Sequence, residues 1–102
     1  MEVVQSATFS RWLRRLKDRR AAARVQVRID RLAAGNPGDV RPVGAGVSEL
    51  RVPYGPGYRV YYFRHGQQLI VLLYAGDKSI QSTDIEIAQE LAQLWKKGNA
   101  DE

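Results

Sequence analysis

Cysteine is missing from this chain, and histidine occurs once, as His65. Without thiols there is no disulfide framework, no thiolate nucleophile and no cysteine-based metal site. With one imidazole and scattered carboxylates, no metal-ligating cluster is legible, and neither a metal nor another cofactor is expected. No apolar run is long enough to span a bilayer. Met1 to Phe9 lacks the basic flank and apolar stretch of a signal peptide. Internal repeats, low-complexity tracts and linkers are absent as well. The 102 residues therefore read as one domain, 1–102, with 98–102 as a frayed tail. A cytoplasmic protein with no membrane role is the expectation.

Positive charge is what the chain has in excess. Lys and Arg number 16 against 11 Asp and Glu, for a net charge of +5. Such a surface attracts polyanions through counterion release and long-range steering.

Val3 and Val4, within Glu2–Ala7, predict a first strand. Apolar residues then recur at helical spacing. The first set is Phe9, Trp12, Leu13 and Leu16, with Thr8 or Ser10 as cap; the second is Ala22, Val25, Ile29, Leu32 and Ala33. Gly35-Asn36-Pro37-Gly38 ends the pair, which reads as a helical hairpin. Val40–Val43 predicts an edge strand, and three β-like runs follow at Val47–Val52, Tyr58–Arg64 and Gln68–Tyr74. Their short Pro/Gly connectors make them antiparallel neighbours. Leu69-Ile70-Val71-Leu72-Leu73 is apolar on both faces, which predicts a central strand. After a turn at Gly76-Asp77-Lys78-Ser79, the spacing of Ile85, Ala88, Leu91, Ala92 and Trp95 predicts a last helix capped by Ser82 or Thr83. The fold class is α+β: an N-terminal strand, a helical hairpin, a three- to four-stranded antiparallel sheet and a C-terminal helix.

Four islands of sequence carry a resemblance. The first is Phe9-Ser10-Arg11-Trp12-Leu13 with Leu16-Lys17-Asp18, and the second is Gly35-Asn36-Pro37-Gly38-Asp39. The third is Gly46-Val47-Ser48-Glu49-Leu50-Arg51, followed by Gly55-Pro56-Gly57-Tyr58-Arg59-Val60-Tyr61-Tyr62. The last is Gly76-Asp77-Lys78-Ser79, with Gln81, Asp84-Ile85 and Ala88 beyond. In this order, from about Phe9 to Leu94, the chain resembles the phage-derived "addiction module killer" branch of the RelE/HigB toxins. The resemblance implies a RelE-like microbial RNase fold and a type II toxin–antitoxin module. It implies metal-free cleavage of messenger RNA in the ribosomal decoding site, which inhibits translation. It also implies a cognate antitoxin, a HigA-like helix-turn-helix protein. Two alternatives on the same fold stay open: a non-enzymatic ParE-like gyrase inhibitor, and an inactive copy that binds only nucleic acid or antitoxin.

In such cleavage the 2′-hydroxyl attacks the adjacent phosphate. A group must take its proton, another must supply one to the leaving 5′-oxygen, and cations must offset the gathering charge. Arg51 and Arg59 interrupt β-like runs, where cross-strand pairing would make them a phosphate clamp. The resemblance matches Arg59 to the family's phosphate-stabilising arginine and sets Lys78 near the scissile phosphate. Tyr61 shares a face with Arg59 by alternation, with Tyr58 and Tyr62 on the other, and joins the catalytic candidates. Glu49 shares the face of Arg51, as a base or as the ion-pair partner holding that arginine. His65 is an acid–base candidate by residue type, but its hairpin-tip position sets it apart from Arg51 and Lys78. Where relatives carry an acid–base tyrosine or histidine, this chain has Gln81 and Asp84; Asp84 reads equally as an acid at a helix N-terminus. Tyr54 is a candidate for stacking on a base. Arg24, Arg28 and Arg31, with Arg14, Arg15, Arg19 and Arg20, form a basic stretch that suits RNA phosphates or an acidic antitoxin segment.

Overall fold

A strand that is apolar on both faces needs a covering layer on each side, and the 69–73 run receives both. The computed structural model describes residues 1–98; the remainder of the expected tail, 99–102, lies outside the described residues. The elements are β1 (Glu2–Gln5), α1 (Ala7–Arg15), α2 (Arg19–Ala33), β2 (Val40–Gly44), β3 (Val47–Val52), β4 (Tyr58–His65), β5 (Leu69–Asp77) and α3 (Gln81–Lys96). A single 3₁₀ turn, Lys78–Ile80, leads into α3. The sheet order is β1-β5-β4-β3-β2. Strands β2 to β5 are antiparallel, and β1 adds to the free edge of β5 in parallel.

On one face Phe9 of α1 and Ala21, Val25, Ile29 and Leu32 of α2 pack against Leu50, Val52, Val60, Tyr62, Ile70 and Leu72. On the other, Ala88 and Ala92 of α3 pack with Val47, Tyr61, Phe63, Val71 and Leu73. The α+β class and its element order agree with the sequence reading.

The differences are local. The turn expected at Gly76–Ser79 begins later, because β5 continues to Asp77. The register shifts there: Tyr62 pairs with Leu72 and Tyr61 with Tyr74, so Leu73 is an extra residue. This bulge puts Leu73 and Tyr74 on the α3 side together and returns Ala75 to the other face. The break in alternation made the strand look finished at Tyr74.

The first strand ends at Gln5 and the helix begins at Ala7, so Ser6, not Thr8 or Ser10, caps α1. The buried Ser6 hydroxyl accepts from Phe9 N at 2.9 Å and donates to Leu73 O at 2.7 Å, tying helix and sheet together. Asp18 caps α2 by accepting from Arg20 N and Ala21 N. Ser82 and Thr83 fall inside α3, which has no side-chain cap; Asp77 caps the preceding 3₁₀ turn through Ser79 N at 2.9 Å.

Ser6→Ala removes both of its bonds at a buried site and is expected to destabilise by about 1–2 kcal/mol. Ser10→Ala, which loses only an exposed bond to Gln5, should change stability by less than about 0.5 kcal/mol. Urea unfolding of the two variants measures the contrast.

Candidate functional site

Pairing across three strands sets a small grid of charges on the sheet face where α3 begins. In the register Arg41 of β2 stands opposite Glu49 of β3, and Arg51 of β3 stands opposite Arg59 of β4. Glu49 is 0% exposed, although it stands opposite Arg41 and two positions from Arg51, both of which reach solvent. Its Oε1 accepts from Arg41 Nε at 3.1 Å and Arg51 Nε at 3.3 Å. Its Oε2 accepts from the Gln81 amide at 2.7 Å and lies 3.4 Å from Arg59 Nε. Burial by itself would raise the Glu49 carboxyl. The bonds from Gln81, Arg41 and Arg51 and the charge of Arg59 outweigh it and hold the group below its ordinary value. Glu49 is therefore ionised and fully occupied, the partner that holds the arginines rather than a base open to substrate. All three guanidiniums meet it through Nε, which leaves their Nη nitrogens uncommitted to Glu49.

Beside this anchor a cavity of about 190 Å³ is lined by Asp39, Arg51, Tyr58, Arg59 and Lys78, with Val52, Pro53 and Gly57. The three cations singled out in the sequence thus share one concavity. Lys78 is brought there by the 3₁₀ turn, and its N–H donates to Gly57 O at 3.2 Å. Asp39 places an exposed carboxylate at the rim, its Oδ1 3.9 Å from Arg51 Nη1.

Val52 and Pro53 also border a second cavity of about 440 Å³, lined by Arg24, Val27, Arg28, Arg31 and Tyr54. The Arg24 guanidinium lies over the Tyr54 ring, 5.1 Å from its centroid. Arg28 is partly a strut: it donates to Arg51 O and, at 3.0 Å, to Pro37 O. Gly38, at φ +71°, lies against this guanidinium, where a Cβ would collide.

Tyr61 shares the face of Arg59, as alternation requires, but it is wholly buried beneath the charges. Burial, and then the charges of Glu49 and Asp84, push its hydroxyl well up, so it stays protonated. Asp84 stands in the first turn of α3, 1% exposed, with its carboxyl pushed up from 3.8 to about 6 by burial and by Asp77. Tyr61 Oη, Asp84 Oδ2 and Arg59 Nε have no hydrogen-bond partner among the described residues; Arg59 meets Glu49 only as an ion pair. Asp84 occupies the space a side chain at Gly76 would need. His65 is remote: it ends β4, six residues from Arg59, and packs edge-on to Trp95 at 5.0 Å. Among the described residues no group of three His, Asp or Glu side chains is placed to hold a metal ion, and no helix is long and apolar enough to cross a membrane.

Sequence reasoning missed Arg41, Asp39 and the bond from Gln81 to Glu49. A signal existed for the first: a glutamate inside an apolar strand needs cationic partners, and the arginine of the adjacent edge strand is one. The bond from Gln81 depends on where the bulged β5 delivers α3, which no local pattern reveals.

Residues 11–94 match the family described as phage derived protein Gp49-like (DUF891). A protein of Haemophilus influenzae, described as uncharacterized, is 45% identical over 93 residues, covering 91% of this chain and 94% of that protein.

Two expectations follow from the buried carboxyls. Glu49→Ala leaves three guanidiniums facing one another and should cost about 3–5 kcal/mol in urea unfolding. Asp84 has the opposite sign. Its folded pKa lies above its unfolded one, so its contribution is fully present below the unfolded value and lost as pH rises through about 6. The loss is on the order of 3 kcal/mol. Asp84→Asn should therefore gain stability over the parent at about pH 8 relative to about pH 5; an unchanged difference between the two pH values would contradict this assignment.

Proposed function

The chain belongs to the phage-derived Gp49-like family, and from that premise we propose that it is the toxin of a type II toxin–antitoxin module, a metal-free endoribonuclease that cuts messenger RNA on the ribosome and inhibits translation. The observation that carries the reading is the meeting of Arg51, Arg59 and Lys78 in one cavity. The resemblance of the same residues to the RelE/HigB toxins supports RNA as the substrate and the ribosome as the place of action. A HigA-like helix-turn-helix antitoxin is the neutralising partner.

In the proposed reaction the scissile phosphate enters the Arg51/Arg59/Lys78 cavity. The 2′-oxygen bonds to phosphorus as its proton leaves, and the bond from phosphorus to the 5′-oxygen breaks. The products are a 2′,3′-cyclic phosphate and a 5′-hydroxyl. Charge gathers on the non-bridging oxygens in the transition state, and the guanidiniums held by Glu49 are already oriented towards it. Fixed cations favour the transition state because they need no reorganisation as the charge develops. Asp39 is the carboxylate that borders the cavity and is open to solvent, 59% exposed by its side chain; it takes the 2′-hydroxyl proton. Lys78, the ammonium of the three, supplies a proton to the 5′-oxygen. The cavity of Tyr54, Arg24, Arg28 and Arg31 holds RNA beyond the reacting nucleotide, by stacking and phosphate contact.

Expression in a translation extract, with mapping of messenger ends, tests the proposal. Cuts should appear on translating ribosomes and fall by about 10²–10³-fold in Arg59→Ala. Asp39→Asn should cost about 10²-fold in cleavage rate. Intact messenger together with arrested gyrase would overturn the proposal in favour of a gyrase poison.

A further inference from the structure

Arg41 has no role in the reaction above, yet it is built into the same anchor. It shares Glu49 Oε1 with Arg51, at 3.1 Å and 3.3 Å respectively. Its side chain is 50% exposed, the most open of the three arginines on Glu49. Among the described residues Glu49 is its one polar partner, and the contact is through Nε. The Nε contact restrains the guanidinium, and its two Nη groups have no hydrogen-bond partner among the described residues. This is an unusual state for a surface arginine, whose side chain ordinarily keeps its rotamer freedom.

The register sets its distance from the cavity. Arg41 stands directly opposite Glu49, and Arg51 is two residues further along β3. Arg41 and Arg51 are therefore diagonal cross-strand neighbours on one face, about 7–8 Å apart at the backbone. That separation is comparable with the step between successive phosphates of an extended single strand. One anion in the cavity could not also be held by Arg41 without drawing it off Glu49. A second anion one step away could.

We propose that Arg41 forms a second phosphate subsite, which takes the phosphate one nucleotide from that held by Arg51, Arg59 and Lys78 in single-stranded RNA. The inference rests on the RNA reading above and adds a register to it: the strand lies across β4, β3 and β2, towards the sheet edge. Arg41 contributes to binding and alignment, whereas the cavity cations act on the reacting phosphate. Because Arg41 is half exposed, its contribution is modest, about three- to fivefold in affinity.

The test uses two small probes, uridine 3′-monophosphate and uridine 3′,5′-bisphosphate, titrated into the ¹⁵N-labelled full chain. Both are followed through the arginine Nε resonances, so weak binding without the ribosome is still read. The parent protein should bind the bisphosphate more tightly, with Arg41, Arg51 and Arg59 all shifting. Arg41→Gln, which keeps an amide donor for Glu49 but no charge, should erase that preference and leave monophosphate affinity within about twofold. Arg41→Lys should retain it. Arg64→Gln, which removes an exposed charge elsewhere on β4, should also retain it. A preference that survives in Arg41→Gln, or one lost equally in Arg64→Gln, overturns the subsite. Monophosphate binding at Arg51 and Arg59 with no bisphosphate preference overturns the subsite alone. No response of Arg51 or Arg59 to either probe overturns the RNA reading as well.

Discussion

A carboxylate shut away from water organises the charged surface of this protein. Removing an ionised carboxylate from water costs several kcal/mol, and only close, well-directed partners offset it. Among the described residues Glu49 has hydrogen bonds from Arg41, Arg51 and the Gln81 amide, and an ion pair with Arg59. Three guanidiniums at such short range would repel one another without it. With it they form a cluster of net positive charge whose geometry is fixed before any ligand arrives. The ordering of three long side chains is then a cost of folding and not of binding. These hydrogen bonds and the Arg59 ion pair unite β2, β3, β4 and the start of α3, so sheet, helix and site form together.

A second buried carboxyl close by has the opposite fate. Among the described residues Asp84 has no cationic partner, so burial dominates and its carboxyl rises to about 6. Glu49 and Asp84 differ in what surrounds them rather than in depth, since both are almost fully enclosed. Asp84 fits at all because position 76 has no side chain. Close to neutral pH it is a local weakness at the point where α3 meets the sheet, beside the site that the sheet supports. Stability given up next to a functional surface is a familiar compromise. Tyr61 completes the floor: its ring fills the α3-side core, and its protonated hydroxyl lies under the charges without titrating near neutrality.

Much of this was legible in the residues. Apolar runs at period two and at helical spacing marked the strands and helices, and the doubly apolar 69–73 segment marked an interior strand, which β5 is, between β1 and β4. Alternation put Glu49 with Arg51 on one side of β3 and Arg59 with Tyr61 on one side of β4, and the pairing of Arg51 with Arg59 makes these the same face of the sheet. His65 lies at the hairpin tip where the residues placed it, at the end of β4 away from Arg59. The misplaced details share one cause. The caps at Ser6 and Asp77 and the continuation of β5 depend on where an element stops, and stops are set by neighbours in space. Leu73 illustrates this: a bulge breaks alternation, so a pattern of period two ends while the strand goes on.

The sequence by itself determined the α+β class, the basic character and the identity of the three cations, because these follow from local pattern and from charge. Tertiary structure alone decided what those charges do. Whether Glu49 is a base or an anchor depends on the number of donors around it, and they come from β2, β3, β4 and α3. Whether Tyr61 faces substrate or core depends on α3 lying over it. That Arg41 and Asp39 belong to the same surface depends on the pairing of an edge strand and the loop before it. Local pattern tells which side of a strand a residue occupies. The electric field and the water that it meets there are set by segments distant in sequence.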